Sequence, residues 1–129
     1  MVALRSLPPL VLVVDDYDDT REIYATCLEH AGYRVAVAAD GREAVALALE
    51  LDPDVIVMDL AMPVMDGWEA TRVIKRDPRT RGIRVIAVTG HSGDDVERAA
   101  VRAGCDAFFM KPVLPAQLLH SVQRSLGAA

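Results

Sequence analysis

Five short runs of consecutive apolar residues recur along the chain, separated by more polar stretches. These runs are Leu10 to Val14, Arg34 to Ala38, Val55 to Met58, Ile83 to Val88 and Ala107 to Met110. Consecutive rather than alternating apolar positions are typical of strands that helices cover on both faces of a parallel sheet. The pattern therefore predicts five buried parallel strands.

Helix-length stretches with a period near 3.6 residues fill the intervals between the strands. They begin at Asp18 or Asp19 as N-cap, about Gly41, Asp66-Gly67, about Asp94 and Pro115, and the first three end at Gly32, Leu51 and Asp77-Pro78. The predicted inward residues are Ile23, Tyr24, Cys27, Leu28 and Ala31; Val45, Ala48 and Leu49; Ala70, Val73 and Ile74; Val96, Ala99, Ala100 and Ala103; and Leu118, Leu119, Val122 and Leu126. Each helix thus has one apolar stripe to pack on the sheet.

Strand and helix alternate five times, which makes a (βα)5 chain. Right-handed crossovers between parallel strands then favour an α/β fold with a doubly wound five-stranded sheet. In such folds, ligands bind in the crevice at the carboxyl ends of the strands. We therefore expect the functional residues directly after the strands.

Length and composition favour a single acidic domain. The chain has 129 residues, so we expect one domain over 1–129 with a core at about 10–126. Its 14 Lys and Arg against 19 Asp and Glu give a net charge of -5, which argues against direct nucleic-acid binding. Cys27 and Cys105 lack disulfide or metal spacing and are predicted to be small buried residues. No run of signal-peptide or membrane-span length is visible, so we expect a cytoplasmic protein without a membrane partner.

Polar residues with complementary charges follow the predicted strands. Asp15 and Asp16 come after the first strand, Asp59 after the third, Thr89 after the fourth and Lys111 after the fifth. If the first and third strands are neighbours, the three carboxylates share one small space. At about 4 Å and an effective dielectric of about 20, each pair repels by roughly 4 kcal/mol, so a positive group must lie among them.

The candidates for that positive group are Lys111 and a divalent cation. A site built only from oxygen ligands, with few carboxylates, suits Mg²⁺. A carboxylate beside Mg²⁺ and a lysine can also attack a phosphoryl group, while Thr89 and Lys111 hold the phosphoryl oxygens. The residues therefore predict an aspartyl phosphate on Asp59. Helix capping by Asp15 and Asp16, and turn capping by Thr89, are structural alternatives.

Four motifs together resemble the receiver domain of two-component response regulators. They are the acid pair in Val13-Val14-Asp15-Asp16, the string from Asp59 to Gly67 (DLAMPVMDG), Val88-Thr89-Gly90 and Lys111-Pro112. The resemblance covers about Leu10 to Leu126 and is closest to the single-domain, chemotaxis-regulator-like type. It implies a flavodoxin-like sheet with strand order 2-1-3-4-5.

The resemblance also implies a role for each site residue. Asp59 would be the phosphoacceptor, supplied by the phosphohistidine of a sensor histidine kinase or phosphotransfer protein, or by a small phosphodonor. The implied Mg²⁺ ligands are Asp15, Asp16, Asp59 and the backbone carbonyl of Ala61. Thr89 and Lys111 would contact the phosphoryl group.

The resemblance further implies how phosphorylation would be passed on to a partner protein. Phe108 would be the aromatic partner of Thr89 in a conformational switch, although the position more often holds Tyr. Ala61 and His91 would flank the phosphoryl group and modulate its hydrolysis, and the Lys111-Pro112 bond would be cis. The fourth helix, fifth strand and fifth helix would bind a downstream output protein.

Three alternative functions are a phosphatase, a nucleotide-binding protein and a receiver-like protein that acts by binding alone. An aspartate-nucleophile phosphatase needs an acid two residues after its nucleophile, where this chain has Ala61. A nucleotide-binding flavodoxin-like protein needs a phosphate cradle, but the acidic loop after the first strand contains no glycine. A pseudo-receiver or relay that acts by protein binding alone stays open. We expect no turnover of a separate substrate.

Overall fold

The structure is a computed structural model that describes residues 7–62, 65–90 and 94–127. In these ranges the strands are β1 (Leu10–Val14), β2 (Arg34–Ala38), β3 (Val55–Asp59), β4 (Arg84–Thr89) and β5 (Ala107–Met110). The helices are α1 (Asp18–His30), α2 (Gly41–Leu51), α3 (Gly67–Arg76), α4 (Asp94–Ala103) and α5 (Pro115–Ser125). None of these helices combines the length and apolar character that a membrane crossing requires.

The strands form one parallel sheet in the order β2-β1-β3-β4-β5. The predicted doubly wound α/β fold, with its flavodoxin-like strand order 2-1-3-4-5, is therefore confirmed. Val14 pairs with Met58, Asp59 with Val88 and Thr89 with Met110. This register brings the carboxyl ends of β1, β3, β4 and β5 to the same edge of the sheet.

Both faces of the sheet are covered, which explains the consecutive apolar runs. Alternate residues of a strand point to opposite faces, so Leu12 and Ile56 pack on the side of α2, α3 and α4. Val11 and Val57 pack on the side of α1 and α5. Every residue of β3 is buried.

Two strands extend further than predicted, and both extensions carry polar residues. β3 includes Asp59, which pairs with Val88, and β4 includes Thr89. β4 also begins at Arg84 rather than at Ile83. Asp59 and Thr89 thus have their backbones held by the sheet, so their positions are better defined than those of loop residues.

The predicted N-cap of α1, Asp18 or Asp19, is wrong. The helix begins at Asp18, and the N-cap residue is Tyr17, whose side chain makes no capping hydrogen bond. The Tyr17 backbone N–H instead donates to Oδ1 of Asp15 at 2.9 Å, while the Asp18 carboxylate accepts from Arg21. Asp15 therefore organises the turn before the helix.

The helices bury narrower stripes than predicted. Pairs spaced four residues apart face the sheet and are buried: Tyr24 and Leu28, Ala44 and Ala48, Ala70 and Ile74, and Leu118 and Val122. Predicted core residues that lie in solvent instead are Ile23, Ala31, Leu49 and Val73. A helix lying on a sheet shields only the residues that point straight at it, so neighbouring apolar positions remain exposed.

The two cysteines are free and half-buried rather than fully buried as predicted. The Cys27 thiol lies 3.7 Å from the carbonyl oxygen of Pro115, and the Cys105 thiol lies 4.0 Å from Oγ1 of Thr71. Burial raises the pKa of Cys105 to about 11. A thiolate is therefore disfavoured at that position at neutral pH.

Candidate functional site

Three carboxylates meet at the carboxyl edge of the sheet. Asp15 follows β1, Asp59 ends the adjacent β3, and one oxygen from each of Asp15, Asp16 and Asp59 lies within 4.8 Å of the others. Asp15 and Asp59 are only 2% and 4% exposed, whereas Asp16 is exposed. Two negative charges are thus largely removed from water, with a third at the mouth of the site.

Lys111 supplies a positive charge to this cluster from the end of β5. Its Nζ atom donates a hydrogen bond of 3.0 Å to Oδ2 of Asp15 and lies 3.5 Å from Oδ2 of Asp59. The following peptide bond to Pro112 is cis, as predicted. One ammonium group therefore bridges two carboxylates from different strands.

Burial and neighbouring charges shift the pKa values of Asp59 and Lys111. Burial, and next the charge of Asp15, raise the pKa of Asp59 to about 6, although Lys111 and the Ala61 N–H oppose the shift. Burial alone would lower the pKa of Lys111, but the hydrogen bond to Asp15 and the charge of Asp59 raise it. Lys111 therefore does not fully compensate the charge at Asp59.

The residues present fit a hard divalent cation such as Mg²⁺. All three side-chain donors are carboxylate oxygens, and a single ammonium group, that of Lys111, contacts two of them. Ala61 is exposed, and its backbone N–H donates to Oδ1 of Asp59 at 3.2 Å. Ala61 therefore lies at the border of the cluster. The exposed side of the site leaves space for the water ligands that Mg²⁺ usually keeps.

Thr89 lies beside the cluster at the end of β4. It is completely buried, and its carbonyl oxygen accepts a hydrogen bond of 2.7 Å from the Lys111 backbone N–H. Its preceding residue, Val88, pairs with Asp59. Thr89 is therefore positioned between the strands that carry Asp59 and Lys111.

Gly67, the first residue of α3, packs against the backbone at the end of β3. The backbone N–H of Gly67 donates to the carbonyl oxygen of Leu60 at 3.0 Å. A methyl group on Gly67 would lie 2.2 Å from the carbonyl oxygen of Asp59, well inside contact distance. The start of α3 can therefore approach the backbone of Asp59 only because residue 67 has no side chain.

Two residues near the cluster were not identified from the sequence. Nη1 of Arg21 donates to the carbonyl oxygen of Asp15 at 2.8 Å and thereby ties α1 to the acidic turn. Tyr24 is buried, and it lines a cavity of about 420 Å³ together with Lys111 and Pro112. The three-residue spacing of Asp18 and Arg21 in a helix indicates an ion pair between them. The hydrogen bond from Arg21 to Asp15 depends instead on the orientation of α1 relative to the end of β1.

The remaining sequence predictions concern residues around the cluster. Phe108 is half-buried and packs on the α2, α3 and α4 side of the sheet, whereas Phe109 packs on the other side. His91 lies outside the residues that the structure describes, as do Pro63 and Val64 of the motif after Asp59.

Comparison with known proteins agrees with this geometry. Residues 11–123 match the family described as response regulator receiver domain. The polar-differentiation response regulator DivK of Brucella anthropi is 32% identical over 123 residues, which cover 95% of this chain and 100% of DivK. An uncharacterised 14.6 kDa protein of Leptolyngbya boryana is 37% identical over 114 residues, covering 88% of this chain and 87% of that protein.

Solved structures of the same fold are similarly close. The chemotaxis protein CheY4 of Vibrio cholerae has a TM-score of 0.87 and 34% identity, with 92% of this chain and 99% of that chain covered. The receiver domain of a sensor histidine kinase from Pseudomonas aeruginosa has a TM-score of 0.86 and 32% identity, with 93% and 98% covered. That structure has a magnesium ion coordinated in its active site cleft.

Proposed function

Because this chain belongs to the response regulator receiver domain family, we propose that it accepts a phosphoryl group on Asp59 in a Mg²⁺-dependent reaction. The observation that carries the proposal is the convergence of Asp59 with Asp15, Asp16 and Lys111 at the carboxyl edge of the sheet. The phosphoryl donor is the phosphohistidine of a sensor histidine kinase or phosphotransfer protein. A downstream output protein then responds to the phosphorylated form, and we place this exchange in the cytoplasm.

Asp59 acts as the nucleophile in this reaction. One of its carboxylate oxygens forms a bond to phosphorus while the bond from phosphorus to the donor imidazole breaks, and the electron pair of that bond stays with the imidazole. With a pKa of about 6, Asp59 is mainly ionised at neutral pH even before a cation binds. The N–H of Ala61 and the ammonium of Lys111 orient its two oxygens.

The other site residues hold charge and the phosphoryl oxygens. Asp15, Asp16, Asp59 and the backbone carbonyl of Ala61 are the proposed ligands of Mg²⁺. When bound, Mg²⁺ supplies positive charge that neutralises phosphoryl oxygens. Lys111 and the Thr89 hydroxyl contact the oxygens that remain.

Phosphorylation changes which protein the chain binds, through the surface formed by α4, β5 and α5. β5 is the last strand of the sheet, and Val101 of α4 and Met110 of β5 expose apolar side chains there. Movement of the Thr89 hydroxyl toward the phosphoryl group would leave space that the Phe108 ring can enter. This couples the site to the partner surface.

Measurement of the intact mass tests the proposal directly. We expect the protein to gain one phosphoryl group after incubation with acetyl phosphate and Mg²⁺, and to gain none with EDTA or in the matched variant Asp59→Asn. An unchanged mass with several phosphodonors contradicts the proposal and favours a pseudo-receiver that acts by binding alone. Steady turnover of unrelated phosphomonoesters also contradicts it and favours a phosphatase.

A further inference from the structure

We propose that Gly41, the first residue of α2, is a positioning residue for the acidic site. By admitting the backbone of Met65 into direct contact, it holds Met65 and Asp66 in the position that the site requires. These two residues lead directly into Gly67, which touches the backbone of Asp59. The inference rests on the function proposed above.

The contact between Gly41 and Met65 leaves no space for a side chain. The Gly41 N–H donates to the carbonyl oxygen of Met65 at 3.0 Å. A methyl group on Gly41 would lie 2.3 Å from that oxygen and 3.0 Å from the carbonyl oxygen of Asp66. Both obstacles are backbone atoms, so no side-chain rotation can relieve the overlap.

On its side of this contact, α2 is held in place. The Asp40 carboxylate accepts from the Glu43 N–H at 2.9 Å, and the Glu43 carboxylate accepts from the Ala39 N–H at 2.9 Å. Ala44 and Ala48 are buried in the core and hold the helix against the sheet. A side chain at position 41 would therefore push against Met65 and Asp66 from a helix that is held in place.

The start of α3 links this contact to the end of β3. Gly67 binds the carbonyl oxygen of Leu60 and touches the backbone of Asp59, while the Asp66 carboxylate caps α3 through the Glu69 N–H at 2.9 Å. Gly67 directly follows Asp66 in the chain. A shift of Met65 and Asp66 is therefore passed through Gly67 to the backbone of Asp59 and Leu60, next to Ala61.

The contact requires a glycine for space and not for backbone freedom. Gly41 does not have a positive φ angle, in contrast to Gly32 at 99°. Glycine is a poorer helix former than alanine, so alanine would by itself favour α2. A loss of cation binding on substitution would consequently come from the contact with Met65.

Comparison of three variants tests this role. Mg²⁺ affinity is titrated through the fluorescence of Trp68, the half-buried second residue of α3. Phosphoryl acceptance is followed by intact mass, and thermal unfolding is recorded without Mg²⁺. We expect Gly41→Ala to weaken Mg²⁺ binding by roughly tenfold and to slow phosphorylation. Gly82→Ala, whose added methyl meets no atom within 4 Å, is the matched control and keeps wild-type values. Asp40→Ala removes the helix cap and lowers stability, but leaves the affinity unchanged.

Wild-type affinity and phosphorylation rate in Gly41→Ala would overturn the inference, as would an equal loss of affinity in Asp40→Ala. Absence of both Mg²⁺ binding and phosphorylation in the wild type would instead overturn the proposed function. If Gly41→Ala does not fold, amide hydrogen exchange in the wild-type protein tests the role of Gly41 instead. Gly41 is linked to the acidic site through Met65, Asp66 and Gly67, so Mg²⁺ should slow exchange of the Gly41 N–H. Unchanged exchange at saturating Mg²⁺ contradicts the role.

Discussion

Lys111 and Asp15 are 96 residues apart in the chain, yet the lysine Nζ donates a hydrogen bond of 3.0 Å to the aspartate Oδ2. The same Nζ lies 3.5 Å from Asp59. Because one ammonium group faces three clustered carboxylates, the site keeps an excess of negative charge. The burial of Asp59 and this excess of negative charge underlie the first three predictions below.

Removing the charge of Asp59 should stabilise the metal-free protein at neutral and alkaline pH. The pKa of Asp59 is about 6 in the folded protein against an ordinary value of 3.8. The stability linked to its proton is therefore full below pH 3.8 and is lost as the pH rises through about 6. We expect Asp59→Asn to unfold with a free energy about 1–2 kcal/mol higher than wild type at about pH 8, after allowance for solvent screening.

Urea unfolding in EDTA at several pH values measures this difference. The advantage of Asp59→Asn should shrink steadily toward about pH 4. Asp54→Asn is a suitable control, because Asp54 is an exposed carboxylate away from the cluster that accepts from the Leu10 N–H. A difference between Asp59→Asn and wild type that does not change with pH would contradict the electrostatic explanation.

Mg²⁺ should raise the stability of the wild-type protein, because it replaces the missing positive charge. A ligand at about 100 times its dissociation constant adds about 2.7 kcal/mol to the free energy of unfolding. Asp16→Asn should lose most of this gain with little change in metal-free stability, since Asp16 is exposed. Thermal unfolding with and without Mg²⁺ measures both effects, and an equal Mg²⁺-dependent shift in both proteins would argue against Asp16 as a ligand.

Replacement of Lys111 should have opposite effects on stability and on cation binding. Lys111→Met leaves the buried Asp15 without its ion-pair partner, which should lower the free energy of unfolding by about 1–3 kcal/mol in EDTA. The same change removes a repelling charge, so Mg²⁺ affinity should rise by roughly tenfold. Phosphorylation should nevertheless slow, because one contact to the phosphoryl oxygens is lost.

Calorimetric titration with Mg²⁺ and the acetyl phosphate assay separate these effects. Lys111→Arg keeps the charge and serves as the comparison. Weaker Mg²⁺ binding in Lys111→Met than in Lys111→Arg would show that the ammonium organises the carboxylates more than it repels the cation.

A second lysine stabilises the opposite end of the sheet. Nζ of Lys75 donates to the carbonyl oxygen of Ile83 at 2.7 Å and to Oδ2 of Asp106 at 3.0 Å, and the latter oxygen also accepts from the Val85 N–H at 2.8 Å. Lys75→Met should lower the free energy of unfolding by about 1–3 kcal/mol. Mg²⁺ affinity and phosphorylation should stay at wild-type values, and a change in either would show that the two ends of the sheet are coupled.

Much of the fold could be predicted because it depends on local pattern. β1, β2 and β5 begin and end as predicted from their consecutive apolar residues. The prediction that all five strands are buried is wrong for β2 and β5, because these strands lie at the two edges of the sheet and remain partly exposed. The polar ends of β3 and β4 were misplaced by one residue, because Asp59 and Thr89 continue the hydrogen bonding of the sheet despite their polarity. Pairing with a neighbouring strand decides such a boundary.

The sequence by itself determined the order of strands and helices along the chain and the polar residues near the carboxyl ends of β1, β3, β4 and β5. The type of each residue and its spacing along the chain are sufficient for those conclusions. Only the tertiary structure decided that Ile23 faces solvent, that Arg21 binds the carbonyl oxygen of Asp15 and that Gly41 touches Met65. Each of these depends on the distance and orientation between packed segments, which the alternation of apolar and polar residues does not specify.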